Sequence, residues 1–117
     1  MSDRAALLDY AEQILDGAVD LGPRSARVAA LLARSAFEDW LDEQHPWVVP
    51  SARRPTTASK LVALCTRDDP ATGYRAQRAW AHLSRACHHH AYELQPSATE
   101  VRHLVAEVRD LDAGGVR

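Results

Sequence analysis

The stretch PATGYRAQRAWAHLSRACHHHAYEL, residues 70–94, decides the fold, because its apolar and polar residues separate only at the spacing of an α-helix. Asp69 stands before Pro70 as a cap followed by a first-turn proline, and the helix it opens is expected to run from about Pro70 to Leu94. With Arg85 at zero and about 100° per residue, Ala76, Ala79, Trp80, Leu83, Cys87 and Leu94 fall between about 120° and 220°. A second stripe, Arg78, His82, Arg85, His89 and Tyr92, falls between about −20° and 60°, with His88 near about −60°. The first stripe is expected to face a core. The second is polar, aromatic and cationic. A merely solvated face would favour Lys, Glu and Gln, whereas Arg, His and Tyr suit a surface that meets a ligand or partner.

The same periodicity recurs on both sides of this segment, and no stretch alternates as a strand does. A first helix is expected from about Asp3 to Val19, with Leu7, Leu8, Ala11, Ile14, Leu15 and Val19 on one face. Gly22-Pro23 ends it and starts a second, about Pro23 to Glu43. That helix is apolar over a broad face, Val28, Leu31, Leu32, Ser35, Ala36 and Trp40, as fits neighbours on two sides. From Gln44 to Thr56 the prolines Pro46, Pro50 and Pro55 forbid a helix. Trp47, Val48 and Val49 are expected there as an extended patch over the core or a partner. A short helix follows from about Thr57 to Arg67, capped by Thr56 or Thr57. Ser97-Ala98-Thr99-Glu100 is a capping box opening a last helix through about Leu111, with residues 113–117 frayed. Together these elements predict one all-α domain spanning residues 1–117. Its architecture would be an antiparallel four-helix up-and-down bundle with one additional short helix.

Composition agrees with a single globular domain: 117 residues, 46% hydrophobic and 26% charged. No apolar run reaches the roughly 18 residues of a membrane span. Asp3, Asp9, Glu12 and Asp16 interrupt the segment where a leader would be apolar, so no membrane association is expected. Cys65 and Cys87 are expected as reduced thiols in a cytoplasmic protein. A net charge of −2 excludes a bulk electrostatic nucleic-acid binder. The charge is uneven, however, with one Arg against five acids in residues 1–20 and ten Lys or Arg against six acids in residues 21–85. That asymmetry either offers an anionic ligand one favourable side or forms a solvated mixed-charge surface.

Residues 85–92, Arg-Ala-Cys-His-His-His-Ala-Tyr, hold the chemistry. Arg supplies a permanent fork of donors suited to phosphate, and His changes charge near neutral pH. That pair is what phosphodiester chemistry without a metal requires. On an ideal helix His89 is the neighbour of Arg85 at (i, i+4), while His90 sits at the edge of the core stripe. A bend or π-bulge would bring His90 round instead. Cys87 and His90, joined by His82 or His103, are the alternative metal set. No Cys-x-x-Cys or His-x-x-x-His pair accompanies them, and a structural zinc site needs four ligands. Neither a metal nor another cofactor is therefore expected.

The run Arg85, four residues, His90, one residue, Tyr92 is similar to the Arg-x4-6-His motif of the HEPN superfamily. It also matches the longer Arg-x4-His-x-Tyr form of HEPN toxins paired with minimal nucleotidyltransferases. Residues 79–94 resemble an actinobacterial HEPN subgroup, and residues 33–41 resemble the superfamily's Ala-Arg-x-Ala-Leu-Glu helix. The likeness spans about residues 5 to 111. It implies a bundle that forms a homodimer with two motifs facing across a cleft, and metal-independent endoribonuclease or toxin activity. In that scheme His90 by family spacing, or His89 by helix geometry, is the base on the ribose 2′-hydroxyl, and Arg85 holds the phosphate. Tyr92 would orient the phosphate and accept AMP from a nucleotidyltransferase antitoxin. Glu38, ahead of Asp39, would orient the His or Arg, and Arg78, His82 and His88 would bind RNA. The second reading is a non-catalytic HEPN module that binds a nucleotide or a protein partner.

Overall fold

A computed structural model of the chain describes residues 3–44, 56–66, 69–88 and 95–114. All regular structure among them is helical: α1 (Arg4–Leu15), a 3-10 turn (Gly22–Arg24), α2 (Ser25–Glu43), α3 (Thr57–Cys65), α4 (Pro70–Cys87) and α5 (Ala98–Gly114). The starts follow local chemistry. Thr56 accepts from the Ser59 amide at 3.1 Å to cap α3, Asp69 accepts from the Thr72 amide at 3.4 Å to cap α4, and Ser97 accepts from the Glu100 amide at 3.0 Å to cap α5. Between α1 and α2 the backbone turns through Gly17 and Gly22, whose φ of 86° and 70° lies where a side chain would be strained. Ser25 Oγ then ties the turn by accepting from the Leu21 amide and donating to the Gly22 carbonyl.

Helix α2 occupies the middle, packing against α1, α3, α4 and α5. Helix α5 also meets α1 and α4, and α3 lies on α4 and α2. Four neighbours change which face of α2 is buried. The expected stripe through Leu31 and Ser35 is corrected: both are exposed, while Val28 and Leu32 are only half-buried. Ala29, Ala30, Ala33 and Ala36 are fully buried instead, with Phe37, Trp40 and Leu41 below them. Small side chains let several helices approach one axis closely, and the longer leucines are displaced to the flanks. Phe37 sits 5.8 Å from the rings of both Trp40 and Trp80, which ties α2 to α4 at a dense aromatic centre. The expected inner face of α1 is found, with Leu8, Ala11 and Ile14 buried and Leu7, Leu15 and Val19 packed against them.

Charge is largely settled within the fold. The acidic face of α1 meets arginines of α5: Arg109 reaches Asp9 and Glu12 at 2.7 Å each, and Arg102 reaches Asp16 at 2.7 Å. Arg4 is buried and bonds Asp39, Glu43 and Asp112, joining the start of α1 to the ends of α2 and α5. Burial opposes its charge, but those carboxylates outweigh it and hold the guanidinium more firmly protonated than usual. The acid-rich first helix is thus matched by partners inside the chain.

The end of α4 differs most from expectation. The helix stops at Cys87, and His88 is extended, with φ −70° and ψ 129°. The His88 amide closes the last turn on the Ser84 and Arg85 carbonyls at 3.0 and 3.2 Å. Trp47, Val48 and Val49 of the proline-rich segment lie outside the described residues, as do His89, His90, Leu94 and Tyr92. No described helix is long and apolar enough to cross a membrane.

Candidate functional site

The polar stripe of α4 forms one wall of a groove whose other wall is α5. Arg75, Arg78, His82 and Arg85 come from α4, and Glu100, His103 and Glu107 from α5. The groove has a volume of about 520 Å³, and the apolar Ala79 and Leu104, both buried, form its floor. Arg78, His82 and Arg85 are exposed, as their helical positions require, and Ala76, Ala79 and Leu83 on the same helix point inward. The core stripe includes Ala86, which is 4% exposed, while Trp80 and Cys87 are only partly buried at its edge.

Three arginines and two glutamates share this groove, but they are not equivalent. Arg75 binds Glu107 through two contacts of 3.1 Å, from Nε and from Nη2 to the same Oε1. That pair neutralises one end. Arg78 and Arg85 line the remainder of the groove together with Glu100, His82 and His103. A smaller hollow of about 290 Å³ adjoins the first, sharing Arg85 and Glu100 as walls and adding Arg27, His88, Gln95 and Pro96. Arg85 stands at the junction of the two.

The sequence-derived site residues therefore divide. Arg78, His82 and Arg85 are brought together, and His88 lies in the adjoining hollow with Arg85. Glu38 is elsewhere, on α2, ion-paired to Arg34 at 3.3 Å. Arg34 in turn covers the Trp80 ring at 4.6 Å. Asp39 bonds Arg4. Placing His89 beside Arg85 assumed an unbroken helix, and the end of α4 at Cys87 removes that assumption. His89, His90 and Tyr92 themselves lie outside the described residues.

From the sequence, His103 is a candidate only for the alternative metal set and Glu100 only for the capping box. Their spacing with Glu107, at i, i+3 and i+7, is a polar stripe of the kind found on α4, and that is the signal that pairs the two helices across a groove. Cys65 and Cys87 are both free thiols. Burial pushes the Cys87 thiol above its ordinary range, and the nearby Arg34 and Arg27 only partly oppose this. Cys87 is therefore protonated at neutral pH and a poor nucleophile or ligand. No group of three or more His, Cys, Asp or Glu among the described residues is arranged to hold a metal ion.

Comparisons with protein-family models, curated proteins and solved structures return no match to this chain.

Proposed function

We propose that the chain is an HEPN-like, metal-independent endoribonuclease that acts as a cytoplasmic homodimer. The observation that carries the reading is the convergence of Arg78, His82 and Arg85 with His103 in one open groove. Guanidinium forks bind phosphate bidentately, and imidazoles serve proton transfer near neutral pH. On this reading α1, α2, α4 and α5 make an antiparallel up-and-down bundle with α3 added outside. The contacts of α1 with α2, α2 with α4, α4 with α5 and α5 with α1 support it, and α2 also packs across the bundle onto α5.

In the proposed reaction Arg85 holds the phosphodiester and stabilises charge on the phosphorane. His90, or His89 if the segment after Cys87 presents it instead, removes the 2′-hydroxyl proton. The 2′-oxygen bonds to phosphorus and the bond from phosphorus to the 5′-oxygen breaks. That oxygen leaves with a proton from solvent, giving a 2′,3′-cyclic phosphate and a 5′-hydroxyl. Tyr92 steadies the phosphate and is the residue a nucleotidyltransferase antitoxin would modify. Glu38 acts at most through Arg34, and Arg78, His82 and His88 contact RNA on either side of Arg85.

Labelled RNA incubated with wild type in EDTA should be cut to cyclic-phosphate ends. Arg85→Ala and His90→Ala should each lose at least about a hundredfold in rate, the lower range for removing a general base. His89→Ala in the same assay separates the two imidazoles. A folded protein that leaves RNA intact sinks the catalytic reading.

A second reading is favoured by the two glutamates in the groove. They reduce its net charge, which suits a single nucleotide better than a long polyanion. A non-catalytic nucleotide-binding module would retain ligand binding and show no cleavage.

A further inference from the structure

The proposed cleavage uses Arg85, with Arg78 and His82 as RNA contacts, and leaves the α5 wall of the groove, Glu100 and His103, without a role. We infer that the groove seats one unpaired RNA base against His82 and His103, with the adjoining phosphate on Arg85. Within it, Glu100 favours bases that carry an exocyclic amine over uracil. This rests on the preceding section for the choice of RNA as ligand, but does not require that the RNA be cut.

Four observations support it. The floor is closed by the packed apolar side chains Ala79 and Leu104, so no polar group there competes with a base face. The walls are imidazoles and the Arg78 guanidinium, the planar groups on which unpaired bases stack. A volume of about 520 Å³ lies within the range of small-ligand clefts. Finally, the carboxylates differ: Glu107 is held by Arg75, whereas Glu100 makes no ion pair among the described residues and lines both hollows beside Arg85. An ionised carboxylate only accepts hydrogen bonds. Cytosine presents an amine donor where uracil presents a carbonyl oxygen, so Glu100 attracts one and repels the other. Arg78 and Arg85 keep the site attractive to the phosphate despite that negative charge.

The test is an NMR titration of the full chain with cytidine and uridine 5′-monophosphates in EDTA. Cytidine monophosphate should bind about tenfold more tightly than the uridine compound, the worth of one well-made base contact. Glu100→Gln should remove most of that preference. His103→Ala should weaken both ligands. Glu100 and His103 are exposed, and Gln keeps the backbone amide that Ser97 caps, so these variants should melt with wild type. Equal binding of the two nucleotides, no binding, or a preference that survives Glu100→Gln overturns the inference. Cleavage without nucleotide preference defeats this inference and spares the catalytic reading. Preference without cleavage does the reverse.

Discussion

Gly73 is a residue at which two local rules compete, and distances decide between them. It lies inside α4, where replacing Gly by Ala ordinarily gains about 1 kcal/mol of helix propensity. A Cβ at Gly73 would stand 2.6 Å from the Cys65 Cα, 2.8 Å from its amide nitrogen and 2.9 Å from its Sγ. Two of those atoms belong to the backbone of α3 and cannot rotate aside. Relieving the overlap means moving α3 off α4, at the cost of overpacking, about 1–3 kcal/mol and occasionally more. Backbone contacts below 3.0 Å put the cost at the upper end of that range, so the steric effect wins and Gly73→Ala should destabilise the protein by about 2 kcal/mol net. Urea unfolding monitored by tryptophan fluorescence measures this, and a rise in midpoint would mean the helices do not pack as closely as described. Nothing in the sequence singles out Gly73 in this way, because the neighbour that restricts it comes from another helix.

At the scale of the element, what a helix start needs is local, and the three capped starts are readable, whereas α2 begins at Ser25 after a 3-10 turn rather than at Pro23. Thr56, Asp69 and Ser97 cap α3, α4 and α5 because a short polar side chain can reach an amide two or three residues on. Helix ends were less legible. Helix α1 stops at Leu15 rather than Val19, ended by Gly17 in the left-handed conformation, and α4 stops at Cys87 rather than Leu94, where no glycine or proline marks the stop. The buried face of α2 was misread for a related reason. Hydrophobicity alone ranks Leu31 above Ala29 or Ala33, but a helix crowded by four others buries its smallest side chains. The site was half legible, since the α4 stripe follows from periodicity and its α5 wall depends on which helices meet. Helix α5 also permits a direct test of capping. Ser97→Ala removes the acceptor for the Glu100 amide and should lower stability by about 1 kcal/mol. Hydrogen exchange should show the loss concentrated in the first turn of α5, and uniform protection across that helix would count against the cap.

For the whole molecule, the distribution of charge bears on the proposed dimer. Arg102 and Arg109 are engaged with α1, and Arg4 with α2 and α5, so the arginines of the α4 stripe are the ones turned toward the groove. A homodimer that opposes two copies of that stripe across a cleft brings Arg78 and Arg85 of one protomer near those of the other. Like charges separated by a water-filled cleft repel, and salt screens them with a Debye length of about 10 Å at 0.1 M. RNA binding responds in the opposite sense, because each phosphate contact releases counterions and weakens as salt rises. The two equilibria should therefore diverge. Sedimentation should find the dimer tighter at about 0.5 M salt than at about 0.05 M, while binding of a short RNA weakens over the same interval. At low salt, the same RNA should promote the dimer by neutralising both stripes. A monomer at micromolar concentration under all these conditions excludes the shared cleft. A dimer that weakens with salt places its contacts on some face other than the α4 stripe.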